Sequence, residues 1–218
     1  MMGAERIVVE GEQLKAVEVD VAPGVRVLVY ERADEDRLLE AAIEDPSIDP
    51  YAGVLWPTSL AVARVVAGCA APGERVLDLG AGTGLAALTA ASVGARALAL
   101  DHDAAALRLI ALAAERQGLA VDVHHFDLHA ADPLPPADLV VLADLLYDPA
   151  LARSAARRVA EAVGRGSRVL VGDPGRLGRA EFLRTLAGYA LYPTFEEVTV
   201  CLPGEERTVG VGVARVGW

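Results

Sequence analysis

Three short stretches near the start of the chain carry the marks of strands: Ile7-Val8-Val9, Val17-Glu18-Val19-Asp20-Val21 and Val25-Arg26-Val27-Leu28-Val29. The last two alternate apolar and polar residues with period two, and Ala-Pro-Gly at 22–24 between them predicts a hairpin. A short helix is expected from Asp34 to Glu44, with Leu38, Leu39 and Ile43 as its apolar stripe, and then an irregular stretch from Asp45 to Gly53. Pro57 opens another helix, on which Val62, Val65, Val66 and Cys69 recur at helical spacing. From residue 75 the pattern becomes strand, helix, strand, repeated. Strands are expected over Arg75–Leu79, Ala95–Leu100, Leu119–Phe126, Leu139–Ala143 and Arg168–Val171. Between them fall helices over Leu85–Val93, Ala104–Gln117, Pro149–Val163 and Arg179–Ala187, each followed by glycine. Asp103 is placed to cap the second, and Leu107, Ile110, Ala111 and Ala114 make it amphipathic. Such alternation implies a parallel sheet covered on both faces. The ending differs: Glu196–Leu202 and Thr208–Val216, joined by Pro-Gly-Glu-Glu-Arg, form a hairpin whose last strand runs antiparallel. The expected fold class is therefore α/β, a seven-stranded, mostly parallel sheet with an antiparallel C-terminal hairpin strand and an N-terminal β-hairpin and helix. One domain is expected over residues 1–218, with 1–56 as the N-terminal part and 57–218 as the α/β core.

Composition narrows the function classes. A net charge of −11 disfavours nucleic acid, whose phosphates need clustered Lys and Arg, and suits a basic protein partner. No apolar run is long enough to span a membrane and no signal-like segment opens the chain, so a cytoplasmic location is expected. Cys69 and Cys201 are isolated thiols, in keeping with a reducing compartment. His124, His125 and His129 do not make a metal site: neighbours on a strand point to opposite faces, and no cysteine or acidic triad accompanies them.

The chemistry gathers where strands end, because open α/β sheets bind ligands at the carboxyl ends of their strands. Arg75-Val-Leu-Asp-Leu-Gly-Ala-Gly-Thr-Gly84 runs from an apolar strand into a glycine turn and a helix, with Gly80, Ala81, Gly82 and Gly84 as a candidate ligand cradle. A dinucleotide fingerprint needs its third glycine where Leu85 stands, so the spacing disfavours a pyrophosphate. Asp78 beside the turn can hold a positively charged amino-acid group, as a sulfonium nucleoside carries. Asp101 lies 23 positions after Asp78, where a second strand's acid can reach ribose hydroxyls; its alternative, helix capping, suits Asp103 better. Asp127 could read an adenine amino group while Leu128 packs on the ring, and a solvated strand-end acid fits Asp127 as well. Asp144 and Asp173 close the list of strand-end acids.

Asp78-Leu-Gly-Ala-Gly-Thr-Gly84 resembles the first motif of the S-adenosylmethionine-dependent methyltransferases. Ala143-Asp144-Leu145-Leu146-Tyr147, taken with Asp49-Pro-Tyr-Ala-Gly-Val-Leu-Trp-Pro57 and Gly172-Asp-Pro-Gly-Arg176, resembles the seven-β-strand protein lysine methyltransferases marked by Asp-x-x-Tyr. Within these it is similar to the electron transfer flavoprotein β-subunit lysine methyltransferases. The likeness covers roughly residues 45–176 and implies a Rossmann-like class I methyltransferase fold, S-adenosylmethionine as cofactor and a lysine-bearing protein as partner. It puts Trp56 over the cofactor, Gly80 to Gly82 under its amino-acid part, Asp101 on the ribose and Ala143 along the same cleft. It gives Asp144 and Tyr147 the target amine. A core tryptophan and a partly buried phenol remain the alternatives for Trp56 and Tyr147. The helix after Asp101 carries no asparagines where such enzymes often have them, which leaves target choice open. Two other functions stay in view: a small-molecule, nicotinamide-type N-methyltransferase, and a cofactor-binding partner protein without turnover.

Overall fold

The computed structural model describes residues 5–9, 12–33, 43 and 53–218. The helix expected at 34–44 and the irregular stretch 45–52 lie outside the described residues, except for Ile43, which is exposed. The N-terminal hairpin is larger than its sequence signal. Strands β1 (Glu5–Val9), β2 (Glu12–Ala22) and β3 (Val25–Arg32) form a separate three-stranded antiparallel sheet, in which Val17 pairs with Val29 and Val19 with Val27.

The main sheet contains β4 (Arg75–Leu79), β5 (Arg96–Asp101), β6 (Val121–His125), β7 (Leu139–Ala143), β8 (Arg168–Asp173), β9 (Phe195–Val200) and β10 (Val209–Val216), in the spatial order β6-β5-β4-β7-β8-β10-β9. β4 to β8 are parallel, and β10 enters antiparallel between β8 and β9. The helices are α1 (Pro57–Cys69), α2 (Leu85–Ser92), α3 (Ala104–Gln117), α4 (Pro149–Gly164) and α5 (Arg179–Ala187). Strand alternation divides the core between two faces. Val76, Leu139, Val141 and Leu170 join α1, α2 and α3, whereas Leu77, Leu79, Val140, Leu142 and Val171 join α4 and α5. Each central strand must then be apolar throughout, which is why the sequence shows runs there and not alternation.

The small sheet explains an oddity of α2. That helix, Leu-Ala-Ala-Leu-Thr-Ala-Ala-Ser, has no polar face, and residues 85–90 are all buried. A helix apolar all round needs cover on both sides. The main sheet covers one side and β3 the other, with Val27 and Val29 fully buried in the shared core. Gln117 ties the layers together, accepting from the Leu28 N–H at 2.7 Å and donating to its carbonyl at 2.9 Å. Glu31 accepts from the Leu55 N–H at 2.9 Å, so the small sheet also fixes the segment that leads to Trp56. On the expected stripe of α1, Val62 and Val66 are buried, while Val65 and Cys69 are only half-buried because the helix turns Leu60, Ala61 and Ala63 inward as well. Among the described residues no helix is long and apolar enough to cross a membrane.

Candidate active site

The order in which the parallel strands follow one another reverses between β4 and β7, and the strand-end residues converge there. Gly80, Gly82 and Gly84 have φ of 70°, 55° and 70°, the left-handed region that disfavours side chains. They differ in what surrounds them. A Cβ on Gly80 would stand 2.6 Å from Leu145 and one on Gly84 2.6 Å from Ile110, so these two serve close packing. A Cβ on Gly82 would meet nothing within 4 Å. The open wall of the turn is therefore at Gly82. Next to it the Thr83 hydroxyl is buried without a hydrogen-bond partner among the described residues, a polar atom that a ligand can satisfy.

Asp101 closes one side of this cradle. Its Oδ2 accepts from the Gly82 N–H at 2.9 Å and its Oδ1 from the Asp103 N–H at 2.9 Å. Burial alone would raise its pKa, but hydrogen bonds from His102, Asp103 and Gly82 hold it below the ordinary carboxylate value. It is thus an ionised acceptor, and a carboxylate has lone pairs left for hydroxyls.

On the other side of β4, the chain leaves β7 at Asp144, one of two non-glycine residues with positive φ among the described residues, at 62°. For an L-residue this conformation costs roughly 1–2 kcal/mol. The surroundings hold it there: Asp144 is buried, its N–H bonds the Gly172 carbonyl at 3.0 Å, and its Oδ2 accepts from the Thr58 hydroxyl at 3.1 Å. Arg176 forks onto the same carboxylate through Nε at 2.7 Å and Nη2 at 3.1 Å, and its guanidinium lies 5.6 Å from the Trp56 ring centroid. Trp56, Thr58, Asp144 and Arg176 thus form one cluster, contributed by the start of α1 and the ends of β7 and β8. Gly172 lets α1 come this close, because a Cβ there would stand 2.4 Å from Val62.

A model of the methyltransferase domain family matches residues 76–166, which span the glycine turn, Asp101 and Asp144. The electron transfer flavoprotein beta subunit lysine methyltransferase of Mus musculus is 37% identical over 179 residues, 78% of this chain and 67% of the relative. The chain belongs to this methyltransferase family. The Danio rerio protein of the same name is 34% identical over 135 residues, 60% of this chain and 52% of that one. This family member spans between about half and two thirds of the length of these two relatives. Among solved structures, magnesium protoporphyrin IX methyltransferase from Synechocystis with bound SAH superposes with a TM-score of 0.54 at 16% identity, over 72% of this chain and 82% of that one, which shows the shared fold.

Several residues marked in the sequence sit differently in the folded chain. Asp78 faces inward and accepts from the Ala87 N–H at 3.0 Å, filling the first turn of α2 that Gly84 leaves without a side-chain cap. Leu128 is packed into the core with α4 and α5, and Asp127 is exposed, bonded to the His129 N–H at 2.7 Å. The loop that carries them is pinned by buried Arg158, which donates to the carbonyls of Leu128, Ala130 and Asp132. Ala143 is half-buried at the end of β7, and Tyr147 is 51% exposed on a bend, not on a helical turn. Asp173, fully buried, binds Arg179 and accepts from the N–H groups of Gly175 and Arg176, which shapes the loop after β8. The sequence did not mark Thr58. A threonine in the first turn of a helix gives no sign of a partner 86 positions away.

Burial pushes the Asp78 carboxyl from 3.8 up to about 7; the Ala87 N–H opposes this and the Asp101 charge adds to it. The folded protein therefore holds this proton more tightly than the unfolded chain does. The stabilising contribution is complete below about pH 4 and is lost as pH rises through about 7. Asp78→Asn keeps an acceptor for the helix but cannot titrate. Denaturant unfolding should show the wild type losing ground to this variant by about 1.4 kcal/mol per pH unit across that window. A difference that stays constant between pH 5 and pH 8 would show that Asp78 is ionised throughout.

Proposed function

We propose that this chain is an S-adenosylmethionine-dependent protein lysine N-methyltransferase, cytoplasmic, whose acceptor is a lysine on the β-subunit of an electron transfer flavoprotein. The observation that carries this reading is the buried carboxylate of Asp144, at the end of β7, followed by Leu145 in contact with the glycine turn. An anion that accepts hydrogen bonds is thereby set beside an open cradle. The relatives' name supplies the target class.

In this reading the cradle is built for a nucleoside with a charged amino-acid arm. The Gly80–Gly82 backbone and the unpaired Thr83 hydroxyl lie under that arm, and Asp101 takes the ribose hydroxyls. Trp56 and Ala143 line the cleft, and Asp127 stands at the adenine end. When bound, S-adenosylmethionine supplies an electrophilic sulfonium methyl group. The protein's own part is placement: Asp144 and Tyr147 orient the lysine nitrogen within roughly 3–3.5 Å of the carbon it attacks. Partial desolvation in the cleft favours loss of the lysine proton, and Asp144 then stabilises the new methylammonium.

Incubation with cofactor and the purified flavoprotein should add methyl groups to lysine of the β-subunit, read by mass spectrometry. A net charge of −11 draws a lysine-bearing surface, so the initial rate should fall as salt is raised. Lys15 is the only lysine in the chain, and Lys15→Arg removes any self-methylated background. Methyl on nicotinamide or on another lysate protein, with none on the β-subunit, would refute the target and leave the methyltransferase assignment in place.

A further inference from the structure

The carboxylate assigned to the acceptor is already occupied by a cation of the chain itself. Arg176 satisfies both oxygens of Asp144, at 2.7 and 3.1 Å, and its guanidinium lies over the face of Trp56, so it fills the polar contacts that a substrate ammonium would use. The root of this residue is fixed. Its N–H is held by Asp173, and two residues on Gly178 donates to the Leu146 carbonyl at 3.0 Å, with no room for a Cβ. The side chain is not fixed in the same way. It is 38% exposed, at the mouth of the cleft, and the next residue, Leu177, is 91% exposed. A guanidinium on such a stem can swing into solvent by side-chain rotation alone, with the loop backbone unmoved.

We propose that Arg176 is a resident stand-in for the acceptor lysine, holding Asp144 until the substrate's cation displaces it. The proposal rests on the reading that Asp144 receives the acceptor. Its physical reason is the cost of a buried, unpaired carboxylate: the protein avoids that state if one cation replaces another. The exchange also favours protein acceptors. A free amine must displace a bidentate guanidinium using its own few contacts, whereas a lysine presented on a protein brings surface contacts around the mouth, where Leu177 and Tyr147 are exposed. Arg176 then acts on specificity through competition, and takes no part in the chemical step.

Arg176→Gln keeps one donor for Asp144 but removes the charge and the fork. Steady-state kinetics with the protein acceptor should show its KM falling at least fivefold in this variant. The affinity for S-adenosylmethionine, measured by calorimetry, should stay within about threefold. An unchanged or raised KM with a lower kcat would overturn the proposal and make Arg176 a residue that merely positions Asp144. Arg176→Lys, made together with Lys15→Arg, gives an independent readout. It places the chain's only amine side chain on Asp144, so peptide mass spectrometry should find methyl on residue 176. Absence of methyl there, while the protein acceptor is still methylated, would also overturn it. If Asp144→Asn retains full turnover, the acceptor reading itself fails and the proposal falls with it; dependence on Asp144 with no change of KM in Arg176→Gln sinks the proposal alone.

Discussion

Replacing Asp144 by asparagine should lower kcat for methyl transfer by at least a hundredfold, while the affinity for S-adenosylmethionine stays within a few-fold. Asparagine is the informative substitution because the position has φ of 62°. Asn is enriched in the left-handed region, so the backbone keeps its path, and an alanine would confound lost chemistry with added strain. The amide still accepts from the Thr58 hydroxyl, which holds the side chain to α1. What disappears is the negative charge, and with it the means to orient a lysine nitrogen and stabilise the methylammonium. A hundredfold loss corresponds to about 2.7 kcal/mol of transition-state stabilisation, the scale of one strong polar contact in a preorganised site. Affinity for the cofactor should hold because Gly82 and Thr83 lie in the turn after β4 and Asp101 ends β5, where Gly82 and Asp101 bond each other and not the Asp144 carboxylate. A variant retaining most of its turnover would place the acceptor elsewhere, and a variant that loses cofactor affinity would make Asp144 part of the cradle.

The elements of the α/β core were legible because periodicity and punctuation agree there. Arg75–Leu79, Leu139–Ala143, Ala104–Gln117 and Arg179–Ala187 have the same bounds in sequence and structure, and Asp103 does cap α3 through the N–H groups of Ala105 and Ala106. Local signals set each of these. The first half of β2 was not legible, because Glu12–Ala16 pairs across to β1 without a strict alternation of its own. The side-chain partnerships were hidden for a related reason. Asp78, Asp101, Asp144 and Asp173 look alike as strand-end acids, yet one caps a helix, one bonds the glycine turn, one holds an arginine fork and one shapes a loop. What separates them is the partner each meets in space. Thr58 lies 86 positions from Asp144 and Arg176 lies 32, so only the finished sheet brings the three together.

Gly82→Val should abolish binding of S-adenosylmethionine, with calorimetry giving no measurable heat at concentrations where the wild type binds in the micromolar range, about −8 kcal/mol. The three turn glycines make this a controlled experiment, since all have positive φ but only Gly82 borders open space. Two effects of the substitution must be separated. Any L-residue here costs roughly 1–2 kcal/mol of backbone strain, and a β-branched one costs more, so the variant should also unfold at lower denaturant concentration. Gly82→Ala carries the backbone cost with little added volume, and should lose stability while keeping part of the affinity. The isopropyl group of valine goes further and projects from the turn into the open space that a Cβ at Gly82 would face. Gly80→Ala and Gly84→Ala supply the opposite contrast: their Cβ atoms run into Leu145 and Ile110 at 2.6 Å, so both should lose stability through packing. If Gly82→Val unfolds no more easily than Gly82→Ala and still binds the cofactor normally, the open wall of the turn is not the cradle. The ligand would then have to lie away from Thr83 and Asp101. If instead binding vanishes in Gly82→Val and persists in folded Gly80→Ala, the volume facing Gly82 is the volume the cofactor needs.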